Sequence, residues 1–284
     1  MQLYLLALIT PFVGFILYHS VLTKRCQSGI IAEGAGWQFF NGLCRLGSSI
    51  IAYLGPLLAV MLVIGLLKGA AGTLLVARIR RAGAVPDLHQ QERVEKIIRQ
   101  CSSEHHLYMP EIVYSQRDSF IAFATGISRP VIVVSIPMLA HLSDHELTGI
   151  LIHELIHIRR GDTRTGWLVH LARDAMFFSP FSTLLLDRYL LERERLCDSE
   201  TVQSLGSSRL YAATLLKAWR LLLDRSDFKA GVVVGFTGKK RDLELRITSL
   251  LTGQEETKAM SGPLFNTLLL SLFAGTILYL GFIC

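Results

Sequence analysis

His153-Glu154-Leu155-Ile156-His157 sets two imidazoles four residues apart with a carboxylate between them, the spacing at which one helix can grip a zinc ion. At 3.6 residues per turn, both rings project from the same helical face. Glu154, rotated about 100° from His153, stands beside the metal rather than on it. That placement suits a general base: zinc acidifies a water and polarises a carbonyl, and Glu154 carries the proton towards a leaving amine.

The chain around the pair reads as a helix. Leu147, Ile150, Leu151, Leu155 and Ile158 supply apolar positions, and Ser143-Asp144-His145-Glu146 has the form of a capping box, with Ser143 at the N-cap and Glu146 at N3. A catalytic zinc needs a third protein ligand and keeps a fourth position open for water. The segment Leu184 to Val202 reads as a second helix, with Glu194, Cys197 and Asp198 at i, i+3 and i+4 on one face. Glu194 is favoured as the third ligand over Glu192, which lies on a different face. Asp198 is expected to accept the outer N–H of a ligating histidine, and Cys197 to be a small packing residue.

Ile152 to Asp162, followed by Glu194-Arg195-Leu196-Cys197-Asp198, resembles the integral-membrane gluzincin peptidases. The match is nearest to the β-lactam sensor-transducer (BlaR/MecR) type, whose third-ligand motif is Glu-x-x-Cys-Asp. The HtpX and CAAX prenyl proteases are relatives with Ala in place of the Cys. Ala122-Phe123-Ala124-Thr125-Gly126 is similar to the Asn-Ala-Phe-Ala edge-strand motif of HtpX-like enzymes, with Ile121 in place of the Asn. Arg129 to Val133 and Arg246 to Leu251 resemble two further segments, so the likeness runs over roughly residues 85–252. It implies a zinc endopeptidase acting on protein or peptide substrates, in regulatory proteolysis and signalling or in membrane-protein quality control, with one Zn2+ per chain on His153, His157 and Glu194.

The elements that must hold these groups point to an α+β fold, mostly helical, with a zincin-like catalytic domain, a small β-sheet and about three transmembrane helices. Helical periodicity covers Asp87 to Ser102 and Leu210 to Leu223, and Glu111 to Tyr114 and Val131 to Ser135 are β-rich. Ser119 to Thr125 reads as an exposed edge strand on which Ala122, Phe123 and Ala124 would bind substrate backbone by strand addition. Gly231 to Gly238 has no assigned role.

The chain is 51% hydrophobic, with a mean hydropathy of +0.41, and its apolar residues gather at the two ends. Gln2 to Leu22, Ser48 to Leu67 and Pro263 to Cys284 are each long enough to cross about 30 Å of hydrocarbon. The expected organisation is therefore 1–84, two spans and a connecting loop; 85–258, the peptidase domain; and 259–284, a closing span. That arrangement leaves no room for an appended sensor domain, so β-lactam binding is not expected, and a membrane partner would supply sensing.

Arg78, Arg80 and Arg81 after the second span, and Lys239, Lys240 and Arg241 before the third, place the catalytic domain on the cytosolic face of a bacterial inner or plasma membrane. Lys24 and Arg25 argue the other way. Cys26 and Cys44 would share the outer loop 23–47, where a disulfide could form. The net charge of +6 is read as attraction to anionic lipid, with no nucleic-acid partner. Two alternatives belong to other classes: a catalytically silent membrane scaffold with this fold, and a metallohydrolase that is not a peptidase. The near absence of ionisable groups inside the spans weighs against a transporter.

Overall fold

A computed structural model describes residues 37–81, 83–104, 109–116, 122–126, 129–175, 180–224 and 240–253. In chain order the elements are α1 (Trp37–Arg81), α2 (Leu88–Glu104), β1 (Glu111–Ser115), β2 (Ala122–Thr125), β3 (Val131–Ser135), α3 (Ile136–His141), α4 (Asp144–Arg160), α5 (Asp162–Ala175), α6 (Pro180–Leu205), α7 (Ser208–Asp224) and α8 (Lys240–Thr252). The fold is mostly helical with one small sheet. Two compact units divide the chain: Met1–Lys68, Val169–Tyr189 and Glu256–Cys284 form one, and Gly69–Leu168 with Leu190–Glu255 the other.

In the first part of the chain the structure redraws the expected elements. Residues 37–47, expected as loop, begin a continuous 45-residue helix with Pro56 inside it. Cys44 is therefore helical, while Cys26 lies outside the described residues. The stretch of α1 long and apolar enough to cross a membrane is Ala59–Arg78, 20 residues of mean hydropathy 2.1, later than the expected Ser48–Leu67. The apolar run does not stop at Lys68, because Gly69 to Ala77 carry no charge. The other two expected spans, together with Gly231 to Gly238, lie outside the described residues.

The sheet has the order β1-β3-β2. β3 runs parallel to β1 and antiparallel to β2, and all five of its residues are buried, as the unbroken Val-Ile-Val-Val run of a central strand requires. Among the described residues β2 pairs only with β3, which leaves it an edge strand, as expected.

Helix α4 is the spine of the second unit. Leu147 and every residue from Gly149 to His157 are buried, so this helix is enclosed on all sides rather than amphipathic. It packs against α2, β2 and α7, with Leu147, Ile150, Leu151, Leu155 and Ile156 in the main core beside Val94 and Ile98 of α2 and Tyr211 and Leu215 of α7. Gly149 is where a neighbour comes closest: a Cβ there would lie 3.1 Å from Leu205 and 3.3 Å from the Tyr211 ring.

Both ends of α4 are fixed. At the N-terminus the expected capping box forms, Ser143 and Glu146 bonding reciprocally, and Glu146 also accepts from Lys217 of α7 at 2.7 Å. Arg93 of α2 donates to the carbonyls of Leu139 and Leu142 and to Asp144, which anchors the turn into the helix. At the C-terminus Gly161 adopts φ 69°, a left-handed cap whose N–H returns to the last turn. A Cβ at Gly161 would meet nothing within 4 Å, so the cost of Gly161→Ala is conformational. We expect a loss of about 1–2 kcal/mol, read by urea unfolding, and a smaller loss for Gly161→Asn.

Candidate metal centre

Helix α4 brings His153, Glu154 and His157 to one buried place, at 2%, 3% and 8% exposure. The two imidazoles meet edge to face with ring centroids 4.7 Å apart, and their Nε2 atoms are 3.1 Å from each other. From α6, the Glu194 carboxylate reaches the same point, with Oε2 3.4 Å from His153 Nε2 and Oε1 3.6 Å from His157 Nε2. His153, His157 and Glu194 thus form a group able to hold one cation.

The far side of each ring is occupied. His157 Nδ1 lies 2.8 Å from Asp162 Oδ2, because the left-handed Gly161 turns the chain back and carries Asp162 against the helix it has just left. His153 Nδ1 lies 3.0 Å from the Tyr211 hydroxyl and 3.3 Å from Asp198 Oδ1. The Tyr211 hydroxyl donates to Asp198 at 3.0 Å. With both Nδ1 atoms facing acceptors, both Nε2 atoms present lone pairs to each other, and they need a positive charge between them. A proton meets that need in part: burial alone would depress His157, but hydrogen bonds to Asp162, Cys197 and Glu194 hold it well above the usual imidazole range.

A divalent ion meets the need more completely, and the donor set fits one. Glu194 Oε2 is buried and accepts no hydrogen bond, an expensive state for a carboxylate oxygen that has no metal to bind. Burial pushes Glu194 up, yet the two histidines and Arg246 hold it well below the usual carboxylate range, so it is ionised and ready to ligate. Nitrogen and carboxylate donors suit zinc.

Glu154 sits beside these atoms. Its Oε2 accepts from the Ala124 backbone N–H at 2.6 Å. Burial raises its pKa, only partly offset by His157, His153 and the Ala124 N–H. Since Ala124 turns its N–H away from β3, strand alternation turns the Ala122 backbone the same way, along the open edge of β2. Phe123 alternates to the other face, where its side chain packs on the Val113, Val131 and Val133 cluster. The edge strand therefore contacts the centre through the backbone of Ala124, while the partly buried Phe123 side chain lies against that valine cluster.

Three partners were not identified from the sequence. Asp162 was legible only in hindsight, from Gly161 as a helix stop. Tyr211 and Arg246 come from helices whose place beside α4 and α6 no local pattern gives. Arg246 of α8 donates to Asp198 through Nε and an Nη atom at 2.7 and 2.6 Å and stands 3.3 Å from Glu194 Oε2. Cys197 is buried, with Sγ 3.3 Å from His157 Nδ1 and 3.5 Å from Asp162 Oδ2. Burial pushes its thiol up to about 11, so it stays neutral and packs behind the histidine, as expected. Glu192 pairs with Arg195 at 3.1 Å and takes no part in the metal group.

The Asp162–His157 bond carries a prediction. Asp162→Asn keeps an acceptor for the Nδ1–H but removes its charge. We expect metal affinity to fall about 10–100-fold, measured by competition with a chelator.

The chain is 27% identical over 151 residues to the protease HtpX of Hydrogenovibrio crunogenus, covering 52% of this chain and 48% of that protein. It is 29% identical over 158 residues to an HtpX homologue of Methanopyrus kandleri, covering 44% and 50%, and 25% identical over 196 residues to HtpX of a Psychrobacter species, covering 68% and 62%. The chain spans about half the length of the first two of these curated relatives. The profile of the BlaR1 peptidase M56 family matches residues 46–250, from within α1 to α8 and across every group of the centre. This chain belongs to the BlaR1 peptidase M56 family.

Proposed function

We propose that the chain is a membrane-anchored zinc endopeptidase of the gluzincin type, with His153, His157 and Glu194 as ligands and Glu154 as general base and then acid. The observation that carries this reading is the convergence of two imidazole Nε2 atoms and the Glu194 Oε2, which accepts no hydrogen bond, on one buried point beside Glu154. Zinc, when bound, acidifies a water and polarises the scissile carbonyl.

The protein's own groups do the rest. The Ala124 N–H holds Glu154 Oε2, so Oε1 is the oxygen that takes the proton from the attacking water and hands it to the leaving amine nitrogen. Substrate backbone lies along the open edge of β2 in extended form, pairing with the outward backbone of Ala122. Such main-chain pairing gives weak sequence preference and favours protein or peptide substrates over small esters. The Tyr211–Asp198 pair keeps the His153 Nδ1–H on the outer side, and Asp162 does the same for His157, which leaves both Nε2 lone pairs for the metal.

The exposed leucines and valines of Ala59–Arg78 support anchoring in a bilayer. Arg78, Arg80 and Arg81 in the last turn of α1 favour a cytosolic catalytic domain, taken as residues 85–258. Regulatory proteolysis under a membrane partner, or quality control of membrane proteins, is the role this placement suits.

The test is the zinc content of detergent-purified wild type, His153→Ala and Glu194→Ala beside casein cleavage. About one zinc per chain is expected in wild type, with both metal and cleavage lost in each variant. A folded wild type without zinc would overturn the reading.

A further inference from the structure

Glu194 is contacted differently at its two oxygens, and the difference comes from the residue next to it in sequence. Oε1 accepts a hydrogen bond from the Arg193 guanidinium at 3.0 Å. Oε2 accepts none; it faces His153 Nε2 at 3.4 Å and has Arg246 Nη1 at 3.3 Å, outside hydrogen-bonding geometry, while Oε1 also faces His157 Nε2 at 3.6 Å. Adjacent helical residues point about 100° apart and do not ordinarily meet, so this contact requires the Arg193 side chain to fold back across α6. Packing holds it there. Arg193 is 12% exposed, and Gly166 of α5 leaves room for it: a Cβ at Gly166 would come within 3.1 Å of the guanidinium.

We infer that Arg193 is a positioning residue that decides how Glu194 ligates: by holding Oε1 it leaves Oε2 as the single metal-binding oxygen. This rests on the metal centre proposed above. A carboxylate can bind a cation through one oxygen or both. A second oxygen on zinc would raise its coordination and crowd the position a catalytic site keeps for water. Arg246 does not perform this task, because it lies on the Oε2 side and spends its hydrogen bonds on Asp198. Releasing Oε1 is therefore expected to add a ligand atom to the metal rather than to remove one.

The experiment uses the full chain in detergent loaded with Co2+, whose visible absorption weakens when coordination rises from four to five. Wild type, Arg193→Met and Arg193→Lys are compared for cobalt content, visible spectrum, far-ultraviolet circular dichroism and, with zinc, kcat on casein. The Met variant is expected to keep its cobalt, to lose visible intensity and to lose kcat. The Lys variant, which retains charge but not the fork, is expected to lie between it and wild type in both, and it carries the test should the Met variant not fold. A wild-type spectrum in folded, cobalt-loaded variants overturns this inference alone, as does loss of the metal from a folded variant. A folded wild type that takes up no cobalt overturns the metal centre together with this inference.

Discussion

Glu154→Gln is expected to lower kcat on a protein substrate by about 10²–10⁴-fold while leaving the zinc content at the wild-type level. The substitution keeps the size of the side chain and an oxygen able to accept the Ala124 N–H at the place where Glu154 now holds it at 2.6 Å. It removes only the capacity to take a proton. Because burial works against the ionised form of Glu154, the neutral amide relieves a desolvation cost, and the melting temperature of the variant is expected to be no lower than that of wild type. Retention of zinc with loss of turnover separates proton transfer from metal binding, which the ligand variants cannot do. Full proteolysis by a folded, zinc-loaded Glu154→Gln would remove Glu154 from the mechanism.

Arg246→Met is expected to cost about 3–5 kcal/mol of stability. It would leave the buried Asp198 and the half-buried Glu194 without the guanidinium that now makes two hydrogen bonds to the one and stands 3.3 Å from the other. Burial works against Arg246 itself, yet Asp198 and Glu194 hold its pKa well above the usual value, so the charge is present at any physiological pH. Urea unfolding of wild type, Arg246→Met, Asp198→Asn and the double variant forms a cycle. The double variant is expected to recover part of the loss, since it no longer buries an unpaired Asp198. Additive effects would mean that Arg246 is held by packing rather than by charge.

How much of this was legible in the sequence depended on the distance over which each relation acts. The His153–His157 pair, the Ser143–Glu146 capping box and the shared face of Glu194, Cys197 and Asp198 follow from helical spacing, and the structure has all three. β1 and β3 follow from short β-branched runs and fall within a residue of their expected bounds. Spacing could not give the angle at which α7 and α8 pack, and so it could not bring Tyr211 to His153 or Arg246 to Asp198. The expected second span overlaps the apolar window of α1, and the helix runs on past Lys68 to Arg81, as its continuation toward Arg78 was expected to do. Lys68 pairs with Asp174 at 2.9 Å, which lets the helix carry its charge without interrupting the apolar run.

The buried string His153–Tyr211–Asp198–Arg246 ties together four helices made in the order α4, α6, α7, α8. A chain emerges from the ribosome N-terminus first, so both histidines, Glu194 and Asp198 are translated before Arg246, which lies 48 residues beyond Asp198. Until that arginine arrives, Asp198 lacks the guanidinium that makes two hydrogen bonds to it. The order of translation therefore leaves the cluster unfinished in the nascent protein until α8 can dock.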